Sequence, residues 1–190
     1  MHALFFEVRP KPGHLDHYFD HVERLRPVLA QHKGLRFLDR FSAPSDSDLL
    51  LSHQIWDSED AIIAWRKDAT HRRSQSAGRQ VHFTDYRIRV GARVLHWTAG
   101  AQVKPAPLVA ASDVSHILAL YSNQPVKAPA FGAFESVNNK GRFISLVTTD
   151  GYTAAQALLN NNLGAPGLEE GAIYSIRRDY GQFDRAQAPT

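Results

Sequence analysis

What most limits the fold of this chain is a hydrophobic period that switches back and forth along its first hundred residues. "HALFFEVR" sets Leu4, Phe6 and Val8 against Phe5, Glu7 and Arg9, the two-residue repeat of a strand with two different faces. After "KPG", Leu15, Tyr18, Phe19, Val22, Leu25, Val28 and Leu29 recur every three or four residues as far as "HKG". That spacing predicts a helix over His14–His32, with Pro27 as a bend point. "LRFLDRF" and "LLLSHQIW" are strand-like and joined by the polar "SAPSDSD", as in a hairpin. "DSEDAIIAW" then opens a second helix, with Asp57 or Ser58 as N-cap and Glu59 and Asp60 in the first turn, where the helix dipole favours negative charge. Past Gly78, "TDYRIRVGARVLHW" returns to alternation, with Tyr86, Ile88 and Val90 opposite Asp85, Arg87 and Arg89.

The resulting order, β-α-β-β-α-β, is ferredoxin-like and places the chain in the α+β class. Residues 98–113, "TAGAQVKPAPLVAASD", are small, Pro-containing and almost uncharged, which predicts a linker. Beyond it come a strand ("SHILALYS"), a hairpin ("FGAFESV" and "RFISLVT" across "NNKG"), a short helix ("DGYTAAQALLNN") and a last strand ("AIYSIRRDY"). "NQPVKAPA" is too short and too Pro-rich to hold a helix, so residues 114–190 are expected to form a degenerate ferredoxin-like repeat that lacks its first helix. The expected domains are therefore 1–97 and 114–190, in tandem.

Composition removes several classes of function. With no cysteine there is no disulfide, thiolate nucleophile or thiolate ligand, which suits a cytoplasmic protein. The longest apolar runs are a few residues, so neither a membrane span nor a secretion signal is expected. Positive charge is concentrated in residues 65–93, where eight Lys and Arg face only Asp68 and Asp85. These arginines spread around a helix and along a strand, and no nucleic-acid-binding motif accompanies them, so nucleic acid is not the expected partner. His14, His17 and His21 share one side of the first helix at a spacing that metal sites use, but three imidazoles on one helix do not close a tetrahedral shell, and no metal is expected.

The stretches "FFEVRPKPGHLDHYF", "VLAQHKGLRFLDRF" and "SHQIWDSEDAIIAWRKDATHRRSQSAGRQVHFTDYRIRV" together resemble the antibiotic biosynthesis monooxygenase family of the dimeric α/β-barrel group, over about residues 2–95. The most specific element is Trp56 ending a strand, followed by an acidic-capped helix with Trp65 and then His71. In that group the sheet face left open by the helices meets a second sheet to close a barrel. Phe5 and the Leu49, Leu51, His53, Ile55 row supply apolar residues for a second buried face. The resemblance thus implies either an intramolecular pseudo-dimer of the two halves or a homodimer.

For chemistry, it implies oxidation of a small aromatic or quinol-like molecule by dioxygen without a cofactor. Trp65 would stack the ring, Arg87 or Arg89 would hold an oxyanion, and His71 or Glu7 would act as base. Phe5 and His53 are further candidates for substrate contact. Haem is the less favoured cofactor: in the haem-degrading branch of the family the asparagine position corresponds to Glu7 and the histidine ligand to Gln75. The alternative to an enzyme is a binding domain that sequesters an aromatic or haem-like ligand without turnover.

Overall fold

Strand β1 (His2–Pro10) is paired along both edges, antiparallel to β3 (Asp46–Trp56) and to β4 (Phe83–Thr98). The computed structural model describes residues 1–101, 104–105, 114–126 and 130–189. Within them, β2 (Leu35–Ala43), β6 (His116–Ser122), β7 (Gly132–Ser136), β8 (Phe143–Thr149) and β9 (Leu168–Gly181) complete an eight-stranded ring. Its order is β1-β3-β2-β7-β8-β6-β9-β4, and β4 returns to β1. A two-residue strand, β5 (Lys104–Pro105), is added to β4 at Leu95 and His96. The rest of the expected linker, residues 102–103 and 106–113, lies outside the described residues.

The barrel closes within one chain, through strands from both parts of the sequence. The first half contributes β2-β3-β1-β4 and the second β7-β8-β6-β9. One seam is long: β4 and β9 pair from Arg87↔Gly181 to Thr98↔Glu170. The other, between β2 and β7, rests on Phe41↔Ser136 and Ser42↔Glu135. It is reinforced by buried Asp39, which accepts hydrogen bonds from Ser136 Oγ at 2.9 Å and Asn138 Nδ2 at 3.3 Å.

Side chains of both halves fill the barrel, among them Phe5, Phe41, Leu51, Ile117, Ile144 and Tyr174. A barrel of eight strands is just wide enough to be filled in this way. Outside it, α1 (Leu15–Leu29), α2 (Glu59–Lys67) and α3 (Ala69–Ala77) cover the first-half sheet, and α4 (Tyr152–Asn162) packs Ala155 and Leu159 on the second. None of these helices is long and apolar enough to cross a membrane.

The expected second helix is two helices. Ser58 caps α2, its Oγ accepting from Ala61 N at 3.2 Å, while Asp57 instead holds Arg36 with two hydrogen bonds of 2.7 and 2.6 Å. At Asp68 the backbone turns extended (ψ 131°), and its carboxylate accepts from the N–H groups of Thr70 and His71 at 2.8 and 2.9 Å. A short carboxylate side chain competes well for backbone donors at such a position, and this both ends α2 and starts α3. A π-helical turn, Gly78–His82, then leads into β4.

Candidate functional site

Alternation on the first-half strands sends one set of side chains into the barrel and the other toward the helices. The helix-facing set forms rows across the sheet: Arg40, Ser52, Phe6 and Ile88 in one, Leu38, Gln54, Leu4 and Val90 in the next. Above these rows lies a cavity of about 380 Å³, roofed by α1, α2 and α3 and lined mainly by carbon. The last strand and the segment after it, through Arg178, Tyr180, Arg185 and Pro189, supply one side.

Trp65 and His71 line the cavity together. Their rings are stacked, with centroids 3.8 Å apart and planes inclined by 12°, so His71 already covers one face of the indole. His32 meets Trp65 edge-on at 5.0 Å. Nδ1 of His71 lies 2.9 Å from the Trp65 carbonyl oxygen. A carbonyl can only accept, so Nδ1 carries the proton and Nε2 presents a lone pair. Burial lowers the His71 pKa to about 4, which keeps the ring neutral near pH 7. The Gln75 amide nitrogen donates to the Arg66 carbonyl at 3.1 Å and stands 3.1 Å from His71 Nδ1.

Gln54 escaped the sequence reading, which followed the apolar row through His53. The indole N–H of Trp56 donates to Gln54 Oε1 at 3.0 Å. Because that indole can only donate, it fixes the amide orientation and leaves the NH₂ group as the free donor at the cavity wall. The same alternation that identifies the His53 row puts Ser52 and Gln54 on the opposite, helix-facing side. Arg40 and Tyr18 were likewise not anticipated. The Tyr18 phenol is raised above its ordinary pKa by burial, opposed by the charge of Arg40 beside it.

The other expected site residues stand on the far side of the sheet. Phe5 and His53 are stacked at 4.6 Å inside the barrel, both fully buried. His53 Nδ1 donates to the Leu4 carbonyl at 3.3 Å and Nε2 accepts from the Tyr121 hydroxyl at 2.7 Å, and burial lowers its pKa to about 4. Glu7 is paired with Arg89, which also donates to Thr148 Oγ1 at 2.7 Å. Arg87 makes two hydrogen bonds, of 2.8 and 2.5 Å, to Asp179. Of the expected set, the cavity brings together Trp65 and His71, while Glu7, Arg87, Arg89, Phe5 and His53 do not line it.

The helix-one histidines gain a neighbour from the π-helical turn: His82 Nδ1 lies 3.0 Å from His14 Nδ1. Among the described residues no group of three such side chains is arranged to hold a metal ion.

Residues 1–77 match the model of the antibiotic biosynthesis monooxygenase family. Over its full length the chain is 28% identical to the jasmonate monooxygenase ABM of Pyricularia oryzae, covering 97% of that protein. Among solved structures, aldoxime dehydratase superposes with a TM-score of 0.55 at 7% identity, over 92% of this chain and 80% of that one, which shows a shared fold. An anthrone oxidase-like protein aligns over 100% of this chain and 96% of its own, at 13% identity and a TM-score of 0.42. The segment with Trp56, Trp65 and His71 thus falls within residues 1–77, which match the antibiotic biosynthesis monooxygenase family.

Proposed function

We propose that the chain is a monooxygenase that oxidises a small, ring-bearing, largely apolar molecule with dioxygen, in the cavity beneath Trp65 and His71 and without a cofactor. The observation that carries this is the pairing, in one carbon-lined cavity, of an amide with its NH₂ end free (Gln54) and a neutral imidazole with its Nε2 lone pair free (His71). An acidic phenol or ring methylene would lose a proton to Nε2 of His71. The resulting oxyanion would be stabilised by the N–H donors of Gln54, where low polarity strengthens the bond. Since His71 is a weak base, proton transfer depends on Gln54 holding the anion as it forms. Oxidation of a ring methylene to a carbonyl then closes without an outside reductant: the carbon loses two hydrogens and gains one oxygen atom, and the second leaves as water.

The domain model and the full-length relative both support monooxygenase chemistry. That relative is named for jasmonate, which therefore belongs in any substrate panel beside anthrones and hydroquinones. Haem is disfavoured by the donor set, because Glu7 faces Arg89 across the sheet from the cavity and the Gln75 amide is held by the Arg66 carbonyl. We also read residues 114–190 as a reduced copy of residues 1–97, on the ground that the two halves use the same strand order.

Oxygen uptake by the purified protein over this panel tests the proposal. The expected result is turnover of at least one compound, with kcat reduced about 100-fold in Gln54→Leu, the loss typical of removing one oxyanion donor. Saturable binding with no oxygen uptake by any compound would identify a binding domain instead.

A further inference from the structure

We propose that Arg40 holds a carboxylate of the ligand, so that the cavity takes small apolar acids in preference to their neutral analogues. This rests on the cavity being the ligand site, but not on turnover there.

Most cationic side chains lining the cavity are already engaged. Arg178 pairs with Glu59 at 2.5 Å, and Arg26 with Glu23 at 2.5 Å. Arg66 donates to the Pro189 carbonyl at 3.1 Å and the Tyr180 hydroxyl at 3.3 Å, and Arg185 donates to the Tyr86 hydroxyl at 2.5 Å. Arg79 sits on the turn between α3 and β4. Arg40 differs from these in its place on the sheet and in having one buried donor unsatisfied. It projects from a sheet strand into the cavity floor, is half-buried, and has no carboxylate partner among the described residues. Its Nε is sealed from solvent without a hydrogen-bond acceptor.

The adjacent carboxylate cannot serve. Asp39 points through the sheet to the other face, where Ser136 and Asn138 bind it. The neighbouring Tyr18 phenol, its pKa raised by burial, accepts a hydrogen bond from Arg40 but stays neutral and provides no counter-charge. A guanidinium in an apolar wall presents a planar fork of donors that suits a two-oxygen anion; here the Tyr18 phenol takes one hydrogen bond from Arg40, and Nε is left without an acceptor. Ser52, across from Arg40 on β3, adds a hydroxyl at the cavity floor.

The position also sets the size of the acid. Arg40 lies two residues along β2 from Leu38, the residue in register with Gln54, so the two side chains leave the sheet about 7 Å apart along the strand direction. The fitting ligand is an acid whose reactive ring centre is separated from its carboxylate by about one ring or a short chain.

The test is binding measured anaerobically, by calorimetry and tryptophan quenching, with 2-naphthoate and its methyl ester as the probes. In the wild type the acid is expected to bind about tenfold or more tighter than the ester. Arg40→Met should abolish that advantage while changing ester affinity less than about twofold, and Arg40→Lys should keep part of it. Circular dichroism melting confirms that each variant is folded, and Arg40→Gln replaces the methionine variant if that one is not. Equal binding of acid and ester by the wild type overturns the proposal, as does an acid preference that survives in Arg40→Met. If neither probe binds, both this proposal and the assignment of the cavity as the ligand site fall. An acid preference governed by Arg40, with no oxygen uptake over the substrate panel, upholds the anchor and removes only the proposed turnover.

Discussion

His71 and Gln54 are each oriented by one hydrogen bond to a neighbouring tryptophan, the first through the Trp65 carbonyl and the second through the Trp56 indole. Trp65 and His71 were legible in the sequence because they lie six residues apart, shortly after an acidic-capped helix start. Gln54 was not, since attention to the apolar row of its strand drew the eye to His53. Arg40 was hidden for a related reason: the dense arginines of residues 65–93 suggested the cation would come from the last strand of the first half, where Arg87 and Arg89 are instead neutralised by Asp179 and Glu7. His71 and His53, the two histidines whose pKa falls furthest, carry a pH prediction. Burial lowers the pKa of His71 and of His53 to about 4, whereas the unfolded chain binds these protons near 6.5. Below 6.5 the unfolded state therefore holds more protons than the folded one. Stability is full above that pH and declines as pH falls from 6.5 toward 4, by up to about 1.4 kcal/mol per pH unit for each histidine. Denaturant unfolding between pH 4 and 7 should show this slope, reduced by roughly one proton's worth in His53→Gln.

The break between α2 and α3 decides where His71 stands. A continuous helix would have carried it further around the axis, whereas Asp68 restarts the helix so that the imidazole returns over Trp65. The sequence contained the signal, an aspartate followed by small and polar residues, but the residues on either side favour helix and masked it. Asp68→Ala removes a cap with two backbone hydrogen bonds and should destabilise the protein by about 1–2 kcal/mol in denaturant unfolding, with Asp68→Asn recovering most of it. Because the cap also seats His71, the alanine variant should lose kcat on any active panel compound more than its stability loss explains at temperatures well below its melting point.

At the scale of the molecule, the pattern that was readable was the two-faced first-half sheet. Apolar residues on both faces of β1 and β3 require cover on both sides, and the helices and the second-half sheet provide it. Which face holds the site was not readable, because periodicity gives the faces but not which of them is filled. Side chains of both halves meet on the barrel side, and the helix side keeps an open cavity. Closure also has a weak point, the short β2–β7 seam. Amide hydrogen exchange should open first there and last along β4–β9, and Asp39→Ala should speed exchange at Phe41, Ser42 and Ser136 by about tenfold or more, since it strips the buried partner from Ser136 and Asn138. The central claim is that ligand and chemistry belong to the helix-side cavity and not to the barrel interior. Ile63 lines that cavity and is half-buried, so Ile63→Trp fills the space without touching Gln54, Trp65 or His71 by substitution. The most direct measurement is kcat/KM for oxygen uptake in this variant: a loss of about 100-fold or more with an unchanged melting temperature is predicted, and retention of wild-type kcat/KM would contradict the claim.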